Sequence, residues 1–488
     1  MNPALRRTGM LALILLGALI AQSTWVGFFD HEDYQGQLDA RTLIAEYSVP
    51  RGQILAGDVV IAESLPSGGQ TYKYQRNYPE GDYFGNITGF NSFNYGSSRL
   101  EAAEDSILDG SSSLLAFDDF WATVTKEQKP GGNVVTTLDA DLQRTAYDAL
   151  ADAGVKGGAV VIDPQTGRIL AQASYPGWNP TEVSSNDGDT ATAAWTAVNE
   201  DEDNPALDRT GQEWYPPGST FKTIVAAAYI EATGADAGTM VPAGNEYDPP
   251  NTDHVITNSS DQCPDQEMTL EDAFRLSCNT TFARLCVEEL SADDITSMAE
   301  QFGFGEAFAT PLETLASQTG DISEDAFRAQ ACIGQQEVRE TVLQNAIIAG
   351  TIANDGERMQ PQLIDRLTDS QGDTVENGDE DSAGRAIDGD TAEELRKLME
   401  AVVEDGTGSN AQIDGYTVGG KTGTAEHSDS SENRLPDHGW FHGWAMNEDG
   451  EPAVAVAVFL DSYGQGASAE AADISGTLMQ QVLEGGGE

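Results

Sequence analysis

A serine and a lysine one helical turn apart, Ser219 and Lys222, are residues of this chain that could do chemistry together. The sequence Pro-Pro-Gly precedes them and an apolar segment follows, which predicts a helix over residues 219–232 that begins at the serine. A serine hydroxyl becomes a nucleophile when a base takes its proton, and a lysine whose pKa is lowered by burial can be that base. The free N–H groups of a helix N-terminus also suit a developing oxyanion. Taken alone, the pattern is weak and is more typical of a serine N-cap followed by a solvent-facing lysine.

A short polar loop, Ser277-Cys278-Asn279, separates two further predicted helices over residues 269–276 and 280–290. Such a loop can direct Ser277 into a cleft and let Asn279 hold a substrate amide. Ordinary helix capping explains the same residues when they are considered alone.

A glycine-rich predicted strand over residues 418–426 contains Lys421-Thr422-Gly423-Thr424. Glycines in a strand let an extended ligand approach a sheet edge, where Lys421 and Thr424 would project toward a carboxylate. Residues 415–422 also fit a phosphate-loop pattern, but no strand leads into them and no apolar helix follows. The chain has only seven lysines, and two of them occupy key positions of two separate motifs in matching order. Their joint occurrence by chance is therefore improbable.

The elements that must position these residues alternate between strands and helices. The pattern predicts a hairpin from residues 158–162 and 168–174, strands over 439–446 and 453–460, helices over 340–353 and 391–404, and a helix from about 468. The strand over 453–460 is apolar at both alternating positions, so we expect it to be central and covered on both faces. Strands at both ends of a helical middle predict an α/β unit. Residues 365–392 are acidic and glycine-rich and indicate a solvated loop or hairpin insertion.

The composition restricts the partners. With 81 acidic and 25 basic residues among 488, the formal net charge is −56, which excludes nucleic acid as a natural partner. The acids are spread along the chain, which favours a surface adapted to high salt over a patch that binds a basic ligand.

The first thirty residues predict the location of the protein. Two arginines precede an apolar stretch over residues 9–29, about long enough to cross a bilayer. We expect a cytoplasmic tail of residues 1–8, one membrane-spanning anchor and a catalytic region outside the cell membrane. A cleaved signal peptide ending near Ala21-Gln22-Ser23 is the alternative, but the apolar character continues beyond that point.

Four cysteines lie within one 70-residue stretch. Outside the membrane disulfides are permitted, and we favour the pair Cys263–Cys278, with Cys286 and Cys332 free or paired. There is no CxxC motif and no histidine spaced as a ligand around the cysteines, so we expect no metal site.

Together, the three motifs resemble the S-x-x-K, S-x-N and K-T-G set of penicillin-binding proteins and serine β-lactamases. The flanking sequences are similar to class B penicillin-binding proteins: DPQTGRILA at 163–171, YPPGSTFK at 215–222, IGQ at 333–335, GKTGTAE at 420–426, HGWFHG at 438–443 and RGQI at 51–54. The short N-terminal region, with Tyr78-Pro79 and Tyr95-Gly96, most resembles the compact actinobacterial cell-division type. One departure is Gln336, where the family usually has glycine.

The resemblance implies a transpeptidase fold, with an antiparallel sheet flanked by helices and an all-helical subdomain, over residues 131–488. It also implies a small strand-rich dimerisation or pedestal-like domain over residues 30–130. The implied activity is peptidoglycan D,D-transpeptidation through a serine acyl-enzyme, without metal or organic cofactor and inhibited by β-lactams. Implied partners are stem peptides ending in D-Ala-D-Ala and a membrane-embedded SEDS-type glycosyltransferase.

By matching position, the resemblance implies a role for each motif residue. Ser219 would be the nucleophile and Lys222 its base, while Ser277 and Lys421 would relay a proton to the leaving D-Ala. Asn279 would position the donor peptide. The terminal carboxylate would be bound at Thr422, Gly423 and Thr424, and the N–H groups of Ser219 and Thr424 would form the oxyanion hole.

Four alternatives remain. A β-lactamase or a D,D-carboxypeptidase shares the chemistry, but no class A Glu-x-x-Leu-Asn pattern lies between residues 277 and 421. A β-lactam sensor would need a cytoplasmic output domain, and an inactive division scaffold would tolerate loss of motif residues that are all intact here.

Overall fold

A six-stranded and a five-stranded β-sheet organise the chain, and the computed structural model describes residues 44, 46–116, 130–428 and 433–485. The strands are β1 Ile54–Ala56, β2 Val59–Pro66, β3 Tyr74–Asn77, β4 Asn91–Ser92, β5 Gly96–Ser97, β6 Asn133–Thr136, β7 Gly157–Ile162, β8 Ile169–Tyr175, β9 Met240–Pro242, β10 Glu246–Tyr247, β11 Ile256–Thr257, β12 Glu267–Thr269, β13 Glu357–Met359, β14 Ile364–Thr368, β15 Thr374–Asn377, β16 Ser382–Arg385, β17 Val418–Ala425, β18 His438–Met446 and β19 Pro452–Leu460. The α-helices are α1 Gly81–Thr88, α2 Arg99–Ala103, α3 Asp105–Leu108, α4 Ala140–Ala153, α5 Gly188–Glu200, α6 Lys222–Thr233, α7 Leu270–Arg275, α8 Asn279–Glu288, α9 Ala292–Gln301, α10 Asp325–Ala331, α11 Val342–Ala353, α12 Gly389–Asp405 and α13 Ala467–Gly485.

The five-stranded sheet is antiparallel, with the order β17-β18-β19-β7-β8. Alternate residues of β19 pack into two separate cores, one containing α11 and the other containing α13. The prediction of a central strand covered on both faces is therefore confirmed, as is the expectation that distant segments share one sheet.

The six-stranded sheet, with the order β15-β14-β6-β1-β2-β3, joins the N-terminal strands to later parts of the chain. β1 runs parallel to β6, and β14 adds on the other side of β6. Residues 365–392 are thus partly built into this sheet, because β14 and β15 form a hairpin at its edge. The remaining strand of that segment, β16, pairs with β13.

The predicted helices lie close to their observed bounds, with α6 preceded by a 3-10 turn over Gly218–Phe221. Six helices were not predicted, namely α1, α2 and α3 in the region expected to be strand-rich, and α5, α9 and α10 further along the chain. Of these, α9 begins with a capping box between Ser291 and Asp294, a sequence signal that could have been used.

The predicted tail and anchor, residues 1–8 and 9–29, lie outside the described residues. Among the helices that the structure does describe, none combines the length and apolar character needed to cross a membrane. The anchor therefore stays a prediction.

Candidate active site

Ser219 lies in the 3-10 turn that leads into α6, and its side chain is half-buried. The preceding residue, Gly218, has a φ of 57°, and a Cβ atom there would come within 2.4 Å of the carbonyl oxygen of Thr424. Only glycine fits both the dihedral angle and the space. The turn that carries Ser219 therefore packs directly against the strand that carries Thr424.

Lys222 lies one turn further along α6 and is completely buried. Its ammonium nitrogen Nζ donates to the Ser277 carbonyl oxygen at 2.8 Å, to Ser277 Oγ at 3.1 Å and to Asn279 Oδ1 at 2.8 Å. The first two motifs thus meet through this side chain.

Lys421, on β17, reaches the same serine from the sheet. Its Nζ lies 3.0 Å from Ser277 Oγ and donates to the Thr422 carbonyl oxygen at 3.1 Å. Ser277 has a φ of 59°, an uncommon conformation for a non-glycine residue that is found at constrained sites. Among the residues that the structure describes, its hydroxyl is the one group hydrogen-bonded to both lysines, so it can carry a proton between them.

The electrostatics of the two lysines follow from burial without a counter-ion. Among the described residues neither lysine forms a salt bridge. Lys222 Nζ lies 5.6 Å from the centre of the Phe282 ring, and Lys421 Nζ lies 5.5 Å from the centre of the Phe274 ring. Burial lowers the pKa of Lys421 to about 7. Burial, together with the charge of Lys421, lowers the pKa of Lys222 well below its usual value. At neutral pH Lys222 can therefore act as a base.

The remaining predicted site residues surround this cluster. Asn279 is half-buried and also donates to the Thr257 carbonyl oxygen at 3.1 Å. Thr424 is exposed beside the serine turn, whereas the Thr422 hydroxyl lies 2.5 Å from the Thr407 hydroxyl. Gly423 is buried, and a Cβ atom there would lie 2.6 Å from the Pro217 carbonyl oxygen, so its evident role is close packing.

Two disulfides stabilise the surroundings of the cleft. Cys263 bonds to Cys278, the pairing favoured from the sequence, and Cys286 bonds to Cys332. Because Cys278 lies between Ser277 and Asn279, the first disulfide tethers the motif itself.

Gln336, at the position where the family usually has glycine, still adopts a backbone conformation typical of glycine. Gln336 has a φ of 61°, the left-handed conformation that glycine adopts without strain. Two residues earlier, the Gly334 carbonyl oxygen accepts a hydrogen bond of 3.0 Å from the N–H of Gly218. The loop therefore supports the nucleophile's turn through backbone atoms.

Several residues near the site carry no recognisable motif. Thr407 and the two phenylalanine rings are examples, because their contacts depend on tertiary packing. The fully buried His442, which lies opposite Lys421 on the neighbouring strand, falls within the family-like segment 438–443, but nothing in the sequence indicated its own contacts.

One group of described residues brings together three side chains of metal-ligand type: His427, His438 and Asp461. The two imidazole rings are stacked face to face, with 3.6 Å between centroids and an interplanar angle of 8°. The nitrogen lone pairs of an imidazole lie in the plane of its ring. Two parallel rings therefore do not direct their lone pairs at one common point, as ligands of a metal ion would. Ser462 bonds to both rings, and Asp461 lies 3.2 Å from His438 Nδ1, so the group forms a hydrogen-bonded cluster.

Comparisons with known proteins agree with this geometry. The family model of the penicillin binding protein transpeptidase domain matches residues 157–483, and that of the penicillin binding protein A dimerisation domain matches residues 51–134. Peptidoglycan D,D-transpeptidase PbpA of Mycolicibacterium smegmatis is 36% identical over 476 residues, covering 96% of each chain. The protein of the same name from Mycobacterium tuberculosis is 32% identical, covering 99% of each chain.

Solved structures are similar over most of the chain. The ceftriaxone acyl-enzyme complex of penicillin-binding protein A from M. tuberculosis has a TM-score of 0.85 at 33% identity, covering 90% of this chain and 100% of that one. The penicillin G acyl-enzyme complex of the same protein has a TM-score of 0.82.

Proposed function

The chain belongs to the penicillin-binding protein transpeptidase family and is a serine-type peptidoglycan D,D-transpeptidase, and from this premise we propose how its residues divide the reaction. The observation that carries the proposal is the position of Ser277 Oγ, 3.1 Å from Lys222 Nζ and 3.0 Å from Lys421 Nζ. The two lysines share one buried environment that lowers the pKa of both, so Lys222 can be neutral and act as a base.

In the first step, neutral Lys222 takes the proton of the Ser219 hydroxyl. The serine oxygen then bonds to the carbonyl carbon of the penultimate D-Ala, and the N–H groups of Ser219 and Thr424 stabilise the developing oxyanion.

The intermediate collapses when the bond between that carbon and the terminal D-Ala nitrogen breaks. The proton taken by Lys222 passes through the Ser277 hydroxyl to the leaving nitrogen, while protonated Lys421 polarises Ser277. Thr424 binds the terminal carboxylate, and Asn279 holds the donor peptide.

An amine of a neighbouring stem peptide then attacks the ester. Its nitrogen bonds to the acyl carbon, the bond to Ser219 Oγ breaks, and the proton lost by the amine returns to the serine. A β-lactam follows the first step only, because its ring opens without releasing a fragment from the site.

The reaction is tested by incubating the full-length protein in detergent with a D-Ala-D-Ala donor and an amine acceptor. Release of D-Ala with formation of the cross-linked product, absent in Ser219→Ala, supports transpeptidation. Release of D-Ala with only the hydrolysed donor would support a carboxypeptidase instead.

We propose further that residues 9–29 anchor the protein in the cell membrane, with residues 1–8 in the cytoplasm and the catalytic unit outside. The resemblance to class B penicillin-binding proteins supports work beside a membrane-embedded SEDS-type glycosyltransferase, in division or in cell shape. The test is co-purification of the full-length protein from solubilised membranes. A variant with residues 9–29 replaced by an unrelated apolar span is the control, and equal recovery of the polymerase with both would contradict anchor-mediated contact.

The acidic surface supports a third proposal, adaptation to high salt. At a net charge of −56 the folded state repels itself, and about 1 M salt shortens the screening length to roughly 3 Å. Transpeptidation should persist or rise in molar salt, and unfolding under those conditions would contradict the proposal.

A further inference from the structure

A histidine that has no assigned role in the reaction, His442, lies on the strand next to Lys421. His442 is completely buried in β18 and is paired in register with Lys421 of β17. Residues directly opposite each other in an antiparallel pair place their side chains on the same face. The imidazole therefore belongs to the immediate environment of Lys421.

The imidazole is the centre of a buried hydrogen-bond network with consistent donors and acceptors. The Asn345 amide donates to Glu340 Oε2 at 2.5 Å, so its oxygen Oδ1 accepts from His442 Nδ1–H at 2.7 Å. His442 Nε2 then accepts from the Thr223 hydroxyl at 3.1 Å.

Burial favours the uncharged form of both ionisable members of this network, Glu340 and His442. Burial raises the pKa of Glu340 to about 8, and its Oε1 has no partner within the described part of the chain. Burial and the charge of Lys421 lower the pKa of His442 to about 3. In that form the network adds no charge beside the lysines, and it satisfies polar groups that would otherwise be costly to bury.

The same residues hold three segments of the site together. Thr223 directly follows Lys222 on α6. Glu340 exchanges two backbone hydrogen bonds with Tyr215, of 3.0 and 2.9 Å, four residues before Ser219. His442 itself lies in the sheet beside Lys421.

We propose that His442 is a positioning residue for the two lysines, holding the first turn of α6 against the sheet through a buried hydrogen-bond network. The proposal rests on the roles assigned above to Lys222 and Lys421. Within the described part of the chain, the ionisable groups linked to the imidazole are Lys421 on the paired strand and Glu340 through Asn345, and β19 on the other side carries none; Lys222 directly precedes Thr223 on α6. Losing the network should loosen the cleft, admit water and move the pKa values of both lysines back toward their usual value.

The test uses the full-length protein and the second-order rate of acylation by a fluorescent penicillin between pH 5 and 10. His442→Phe keeps a ring of similar size but loses both hydrogen bonds. We expect about a tenfold loss of rate at the optimum and an upward shift of both limbs of the pH profile by about half a unit or more. His442→Gln, which retains a donor and an acceptor, should recover most of the rate and the original midpoints.

Trp444→Phe, two residues along the same buried strand, is the matched control and should lower the melting temperature without moving the midpoints. If His442→Phe does not fold, Thr223→Val removes one hydrogen bond at nearly constant shape and should shift the profile in the same direction. The proposal would be overturned if the midpoints of the pH profile were unchanged in His442→Phe and Thr223→Val while Lys222→Met was inactive. Full activity of Lys222→Met would instead overturn the roles of the lysines.

Discussion

Glu101 lies on α2 and forms an ion pair with Arg76 of β3, and its carboxylate is as completely buried as the ammonium groups of Lys222 and Lys421 in the cleft. Glu101 accepts from Arg51 Nε at 2.7 Å, from Arg76 Nε at 2.5 Å and from the Tyr78 hydroxyl at 3.1 Å. The lysines have neutral oxygens as acceptors and, among the described residues, no carboxylate.

The two regions show that partners, and not burial alone, decide whether a buried group keeps its charge. Although burial raises the pKa of Glu101, the two arginines lower it further, so the net pKa lies below the usual value. In the cleft, burial acts on the lysines without such compensation and makes their protons labile. A charge that is fixed stabilises the fold, whereas a proton that is labile can serve catalysis.

The largest expected effect is on the acylation rate, which should depend on the lysines of the cleft. Lys222→Met removes the base, and the acylation rate should fall by roughly 10²–10⁴-fold because general-base catalysis contributes this much. Stopped-flow measurement with a fluorescent penicillin checks it. Lys397→Met, at a surface lysine paired with Glu393, is the matched control and should stay within about twofold of the natural protein.

The second effect is on the free energy of unfolding, which should depend on the buried ion pairs of Glu101. Glu101→Gln removes the carboxylate that Arg76 and Arg51 share, and among the described residues only Arg51 keeps another, Asp105, so the free energy of unfolding should fall by about 3–5 kcal/mol. Denaturant titration measures it, with the half-buried Glu104→Gln expected to lose less than about 0.5 kcal/mol. Acylation by the Glu101 variant below its melting temperature should be nearly unchanged; a loss as large as that of Lys222→Met would remove the distinction.

The third prediction concerns pH. Lys222 must be neutral, so acylation rises as pH increases through its depressed pKa. Lys421 must be charged, so acylation falls as pH increases through about 7, which gives a bell-shaped profile. Glu101 has a depressed pKa, so its contribution to stability is complete above the usual value of 4.5 and is lost as pH falls through the folded-state pKa. Activity and stability should therefore change in separate pH ranges; loss of both in one range would contradict the comparison.

The smallest effect is at Gln336, whose φ of 61° is unfavourable for a residue with a Cβ atom. Gln336→Gly should raise stability by up to about 1 kcal/mol, because relief of the left-handed strain exceeds the added entropy of the unfolded chain. A thermal melt detects this. A substantial loss of stability would mean that the glutamine side chain itself is needed.

Much of the site was predictable from sequence because its motifs are local. Ser219 and Lys222 share one helical turn, and Ser277 and Asn279 share one short loop, so residue type and spacing sufficed. The convergence of Lys222 and Lys421 on Ser277 was implied by the family resemblance.

The rest depends on pairings between distant segments. The β14–β15 hairpin joins the N-terminal sheet through contacts with β6, more than 200 residues earlier in the chain, which local patterns do not encode. His442 was visible only as part of a family-like strand, since its role follows from register with Lys421 and from contact with Asn345.

The most direct test of the catalytic account is covalent labelling of the full-length protein with a fluorescent penicillin, at low and high salt, beside Ser219→Ala. Stable labelling of one peptide containing residue 219, absent in the variant, is the predicted result. Rapid turnover of the drug would indicate a β-lactamase. Persistent labelling of the folded Ser219→Ala variant, or none of the natural protein at any salt concentration, would contradict the assignment of Ser219 as the nucleophile.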